Sequence, residues 1–285
     1  MSGQPREQRD LAFAIQSPPL VAAGGPFPGA GWFAQQHLGQ VQVEPPPPRF
    51  RLGIHFERIY QAWLAQHPTY GLEAANLQIR SPEKTVGEFD LLVDVAGEIE
   101  HWELAVKFYI NIESPEDASR WFGPDPSDTL AGKLDRLITH QLKISEFPAA
   151  QALLAERQLQ VQRTRGIVKG RLYHPWGEKS QSRPLPQIVH PQHLRGWWLR
   201  QDQIHHLAPY RVAYLEKRYW LSSITPEDQL TLLDSRELLD FLAQSKQIAP
   251  QFVLLDEMGT EISRGFILKP AWFAQAGYHT DSSTA

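Results

Sequence analysis

The stretch GEFDLLVDVAGEIEHWELAVKFY, residues 87–109, constrains the fold more than any other part of this 285-residue chain. Phe89, Leu91, Val93 and Val95 alternate with Glu88, Asp90, Leu92 and Asp94. Past a turn near Gly97, Trp102, Leu104, Val106 and Phe108 alternate with Glu103, Ala105 and Lys107. A side-chain period of two is the signature of β-strands, and two such runs about a glycine turn predict a hairpin. A lone hairpin is barely stable in water, so the rest of the chain must extend it into a sheet and cover that sheet.

The flanking sequence supplies both. Residues 51–66 place Leu52, Phe56, Ile59, Tyr60 and Trp63 at spacings of three and four, one apolar stripe of a helix that His67-Pro68 ends. Residues 76–80 read as a short strand. Ser127 is a candidate N-cap for a helix whose buried stripe is Leu130, Leu134, Leu137, Ile138 and Leu142. Four later runs, 165–175, 195–201, 210–222 and 251–256, are rich in aromatic and β-branched residues and read as strands, with a helix over 235–244 between the last two. The expected organisation is a helical and loop segment with a proline-rich linker over 1–48, an α/β core over 49–175, a β-rich part packed on it over 176–274, and a tail over 275–285. Residues 1–10 are polar and read as a loose end.

Composition narrows the chemistry. The chain has no cysteine, which excludes disulfides and thiolate metal sites and suits a reducing cytoplasm. It holds no apolar run of the ~18 residues that a membrane span needs, and the N-terminus lacks the apolar segment of a secretory signal. A cytoplasmic protein with no membrane partner is expected. The net charge of −4 is unevenly spread: residues 51–149 carry nine basic against sixteen acidic residues, net −7, and residues 150–205 carry nine against three, net +6. Such a split suits a cation beside the first segment and a polyanion along the second, or a plain scatter of surface charge.

With a two-residue turn at Gly97-Glu98, Asp90 lies opposite Ala105. Glu103 and Lys107 then sit on its diagonals, about 7 Å away between Cα atoms, and Glu88 lies opposite Lys107. Two acids and a lysine on adjacent strands are near the minimum set for hydrolysing a phosphodiester. Carboxylates hold a hard divalent cation that activates water, and an ammonium group orients that water or offsets charge. The alternative is a solvated face with cross-strand ion pairs. Gln141 falls inside the apolar stripe of its helix, where a buried amide needs a partner or a site, and Lys133 borders the same stripe. Glu57 falls at the edge of the first helix's stripe. Arg163, Arg165, Lys169 and Arg171 share one face of a predicted strand and make a candidate nucleic-acid contact, or a positively guarded strand edge. The histidines at 190, 193, 205 and 206 are weak metal candidates, and Trp176, Trp197, Trp198 and Trp220 are sheet-packing residues or base-stacking ones.

The order helix, strand, strand, strand, helix, strand over about residues 50–173, with GEFDLL and WELAVK at the hairpin, resembles the PD-(D/E)XK nuclease superfamily. The whole chain resembles a bacterial family called domain of unknown function 1853, through SPPL, WFGPDPSDTLAGKL, HQL, GRLYHP, HLRGWW and LEKRYWL. The resemblance implies an α/β fold with a central mixed sheet flanked by helices and a β-rich C-terminal extension. It implies a Mg²⁺- or Mn²⁺-dependent nuclease acting on DNA. Asp90 matches the metal-binding aspartate, Lys107 the catalytic lysine, Glu57 the supporting glutamate of the first helix, and Gln141 the glutamine of the helix after the lysine strand. The second acid is expected at position 105, which is alanine here; Glu103, two residues earlier on the same face, or Glu88 would replace it. A nuclease fold kept only for binding nucleic acid or a protein is the alternative.

Overall fold

A computed structural model of the chain describes residues 3–47, 50–82, 84–178 and 184–278. Three helices open it: α1 (Arg6–Gln16), the short α2 (Ala30–Ala34) and α3 (Leu52–Leu64). The long strands β1 (Tyr70–Arg80), β2 (Thr85–Val95) and β3 (Glu98–Asn111) form a meander, and the two-residue β4 (Trp121–Phe122) pairs with the end of β3. Helices α4 (Leu130–Thr139) and α5 (Pro148–Glu156) cross back to β5 (Val161–Pro175), which runs parallel to β3. Then come β6 (Leu194–Arg200), β7 (Arg211–Tyr214), β8 (Leu232–Leu233), α6 (Ser235–Gln244), β9 (Gln251–Leu255), β10 (Glu261–Leu268) and α7 (Pro270–Gln275).

These strands make one ten-stranded mixed sheet, in the order β1-β2-β3-β5-β6-β10-β9-β7-β8 with β4 beside β3. The strands after residue 176 therefore hydrogen-bond into the same sheet as the hairpin. The parallel centre is covered on both faces and is largely apolar, with Glu103, Lys169, Arg171 and Arg264 as buried exceptions. On one face α1, α3 and α7 bury Leu11, Phe56, Trp63, Trp102, Phe266 and Trp272. On the other, α4 and α5 cover Ala105, Leu134, Leu137 and Leu154, and α6 covers Trp197 and Leu254. No helix among the described residues is long and apolar enough to cross a membrane.

Sequence periodicity locates α3, α6, β5, β6 and β9 closely. Elsewhere the structure corrects it. Residues 6–10 belong to α1 and bury Arg9 and Asp10, because Asp228 and Ser222, more than 200 positions away, partner them. Tyr278, inside the expected tail, packs on the core, and residues 279–285 lie outside the described ones. The cap of α4 is Thr129, whose hydroxyl accepts from the Gly132 N–H, while Ser127 bonds Asp125. The helix stops at Thr139, and a 3₁₀ segment starts at Gln141. The run 210–222 is strand only over β7, and its aromatic end is a 3₁₀ turn.

Candidate active site

The hairpin turns at Ala96-Gly97, both with positive φ (56° and 88°), the left-handed pair that a tight two-residue turn requires. Val95 therefore pairs with Glu98 and Leu91 with Trp102. This is two residues away from the register expected from a turn at Gly97-Glu98. An even shift keeps every side chain on its face. It moves Glu103, not Ala105, to the position opposite Asp90, and it separates Glu88 from Lys107. The β2–β3 ladder ends at Leu91. One residue beyond, the strands part and the Asp90 carboxylate takes over the ladder's role, accepting the Leu104 N–H at 2.8 Å.

Asp90 and Glu103 are neighbours across this fork, and each carboxyl bears on the titration of the other. Glu103 forms the floor, 1% exposed, and Asp90 the half-buried wall. Gln141 donates its amide N–H to one Glu103 oxygen, and the Lys133 ammonium donates to the Gln141 carbonyl at 2.8 Å. The other Glu103 oxygen has no hydrogen-bond partner and lies 3.5 Å from Nε2 of fully buried His101. Both His101 ring nitrogens also lack partners. Glu57, on α3, accepts from Asn76 at 2.9 Å, and Glu88 accepts from Gln78 at 2.8 Å and Asn76 at 3.4 Å.

The electrostatics follow from this crowding. Burial pushes the Asp90 carboxyl well above the usual carboxylate range, and the Glu103 charge pushes it further; the Leu104 N–H opposes. Burial likewise raises Glu103, against the pull of Lys133. Burial raises Glu57, with the Asn76 bond opposing and Glu88 adding to the rise. Desolvation lowers Lys133, while Glu103 draws it back up. Desolvation holds His101 neutral, lowered to about 4. Burial therefore biases both carboxyls toward their protonated forms, Lys133 opposing this at Glu103.

Asp90, Glu103, Gln141, Lys133 and, at the rim, Glu57 and Glu88 thus come together. Lys107 does not join them. It lies four residues along β3, about 13 Å at the strand rise, and its ammonium pairs with Asp128 at 2.6 Å, beside the Tyr109 hydroxyl. Ala105, between Glu103 and Lys107, packs into the apolar cluster of Leu130, Leu134 and Leu142. The expected basic face on β5 is also not a solvated stripe. Arg165 is bound through both ends of its guanidinium to Glu100 and lies over Trp32, and Arg163 stays exposed 3.6 Å from Glu100. Lys169 is fully buried under α1, donating to the carbonyl oxygens of Ile15 and Ser17, and Arg171 is buried beside it, because α1 covers that end of the strand. The four tryptophans pack the sheet. His193 faces His174, with their Nε2 atoms 3.3 Å apart. Among the described residues no three His, Asp or Glu side chains are grouped to hold an ion by themselves.

Sequence reasoning missed Asp128 and His101. Nothing near position 107 points to an acid 21 residues later. His101 was findable, since it stands two residues before Glu103 and must share its face.

Fold and site define a mixed α/β protein whose central sheet carries a buried glutamate and a half-buried aspartate at a strand fork. The chain belongs to the family described as Domain of unknown function (DUF1853), whose profile matches residues 9–268. No curated protein and no solved structure matches it.

Proposed function

We propose that this protein is a divalent-cation-dependent nuclease of the PD-(D/E)XK type that hydrolyses phosphodiester bonds in DNA, with Asp90 and Glu103 as its ion-binding acids. One observation carries the reading: two acids from adjacent strands stand at one fork, Asp90 accepting the Leu104 N–H beside Glu103, with one Glu103 oxygen buried and unpartnered. Two carboxylates sharing one site favour a proton or a cation between them. The donor set suits Mg²⁺ or Mn²⁺. Such ions are commonly held by one or two carboxylates, with water and phosphate oxygens in the other positions. Glu57 stands within electrostatic reach of both acids.

When bound, the ion supplies charge for a phosphoryl oxygen and lowers the pKa of a water. The chain's own residues set the geometry. The Leu104 N–H fixes Asp90, and Gln141, anchored by Lys133, fixes Glu103. Lys133, not Lys107, is the ammonium whose field reaches the acids, so it takes the role of positioning water and offsetting charge.

The test is cleavage of single-stranded, duplex and branched DNA with Mg²⁺ or Mn²⁺. Wild type is expected to cut at least one of these, and Asp90→Asn, Glu103→Gln and Lys133→Met to lose roughly 100-fold or more. Wild-type cleavage that survives all three substitutions overturns the reading. A second reading, a fold kept for binding DNA or a protein without cleavage, is favoured by the apolar packing of Ala105 and by the Lys107–Asp128 pair. DNA binding in gel shifts, with no cleavage under any ion, supports it.

A further inference from the structure

On the opposite face of the sheet, α1, Arg171 of β5 and residues within 221–225 line an open pocket of about 400 Å³. Arg171 is 8% exposed. A guanidinium carries five N–H donors. Among the described residues this one makes a single hydrogen bond, from Nη1 to the Arg195 carbonyl at 2.9 Å, and no salt bridge. Glu261, the carboxylate whose field reaches it, is bound to Arg264. Nε of Arg171 is buried without a partner, and so is Oγ of Ser17, which lines the same pocket. Of the other polar groups there, Arg9 is paired through its terminal nitrogens with Asp228 and the Gln4 carbonyl, its Nε alone unpartnered, and Ser222 is paired with Asp10. The remaining wall is apolar, from Phe13, Leu194 and Leu221. Gln16 and Ser223 are exposed and mark the mouth.

A buried cation with one carbonyl for company is an arrangement that proteins normally pair or neutralise. The planar guanidinium fork matches a carboxylate or a phosphate, whose oxygens take two donors at once. We propose that this pocket binds a small organic anion, its oxyanion head on Arg171 and Ser17 and its apolar body against Phe13 and Leu194. The volume falls in the range of small-molecule sites and accommodates a mononucleotide or a medium-chain acid. The site lies on the face away from Glu103 and is independent of the nuclease reading.

The test is calorimetric and thermal-shift titration of the full chain, with EDTA present, using adenosine 5′-monophosphate, octanoate and inorganic phosphate. Adenosine and octanol are the neutral controls. At least one organic anion is expected to bind saturably at one site, roughly tenfold or more tighter than its neutral counterpart. Preference for the nucleotide identifies a phosphate head; preference for octanoate identifies a carboxylate on an aliphatic body. Arg171→Gln is expected to weaken binding by about tenfold or more, and Ser17→Ala by a few-fold. Ser17→Ala removes a hydroxyl that makes no bond in the free protein, so it serves where Arg171→Gln fails to fold. No saturable binding by any of the anions, or binding unchanged in Ser17→Ala and in every folded Arg171 variant, overturns the proposal.

Discussion

Glu103 and Asp90 are the residues on which the proposed function turns, and their cost to the fold is measurable. Burial and mutual repulsion raise both carboxyls above their unfolded values. Well below the ordinary carboxylate range of about 4, both states hold their protons and the pair costs nothing. As pH rises from there through neutrality, the unfolded state loses its protons first and the folded state is destabilised. The melting temperature of wild type is therefore expected to fall over that window relative to Asp90→Asn/Glu103→Gln, with the two converging at acid pH. A difference that does not change with pH contradicts the raised carboxyls. Strand periodicity put Asp90 and Glu103 on one face; Gln141 reaches Glu103 from the 3₁₀ segment after α4 and not from the helix stripe on which periodicity placed it. Lys107 was misplaced because its real partner, Asp128, is a matter of tertiary contact. Lys133 was visible only as a border residue, since the relay through Gln141 depends on where α4 ends.

At the scale of elements, β3 and its neighbours hold the site in place. Gly170 of β5 pairs with Lys107, at φ 142°, and a Cβ built there would lie 1.7 Å from the Lys107 carbonyl oxygen. Gly170→Ala is expected to part the strands and cost about 3 kcal/mol or more, read as a lower denaturant midpoint. A change below ~0.5 kcal/mol contradicts this packing. Trp102, fully buried, packs among Trp32, Trp63 and Tyr70 and donates its indole N–H to Glu100. Trp102→Ala is expected to cost about 3–5 kcal/mol, by the loss of a large core side chain, and chemical denaturation checks it. Strands with clean alternation and helices with one stripe were readable from sequence. β10 was not, because Arg264 and Gly265 break its apolar run: Arg264 is a buried cation bonded to Glu261 and to the carbonyls of Tyr219, Trp220 and Ser222. β7 was overextended because aromatic content marks packed surface, whether strand or turn.

Across the whole molecule, one sheet joins the hairpin to the C-terminal strands, and α1 closes the face opposite the acids. Composition and order sufficed for a mixed α/β reading. They did not show that the two halves share a sheet, because strand pairing between distant segments leaves no local mark. Nor did they show that polar residues 6–10 are structural, because their partners lie at the other end of the chain. The central claim is that the fork between β2 and β3 takes a divalent cation in place of the protonation that burial favours. The most direct test is calorimetric titration of Mn²⁺ near pH 7 in buffers of different ionisation enthalpy, on wild type and on Asp90→Asn/Glu103→Gln. One binding site is expected, with release of about one proton on binding, both lost in the variant. No binding to the folded wild type, or equal binding to the variant, would contradict it.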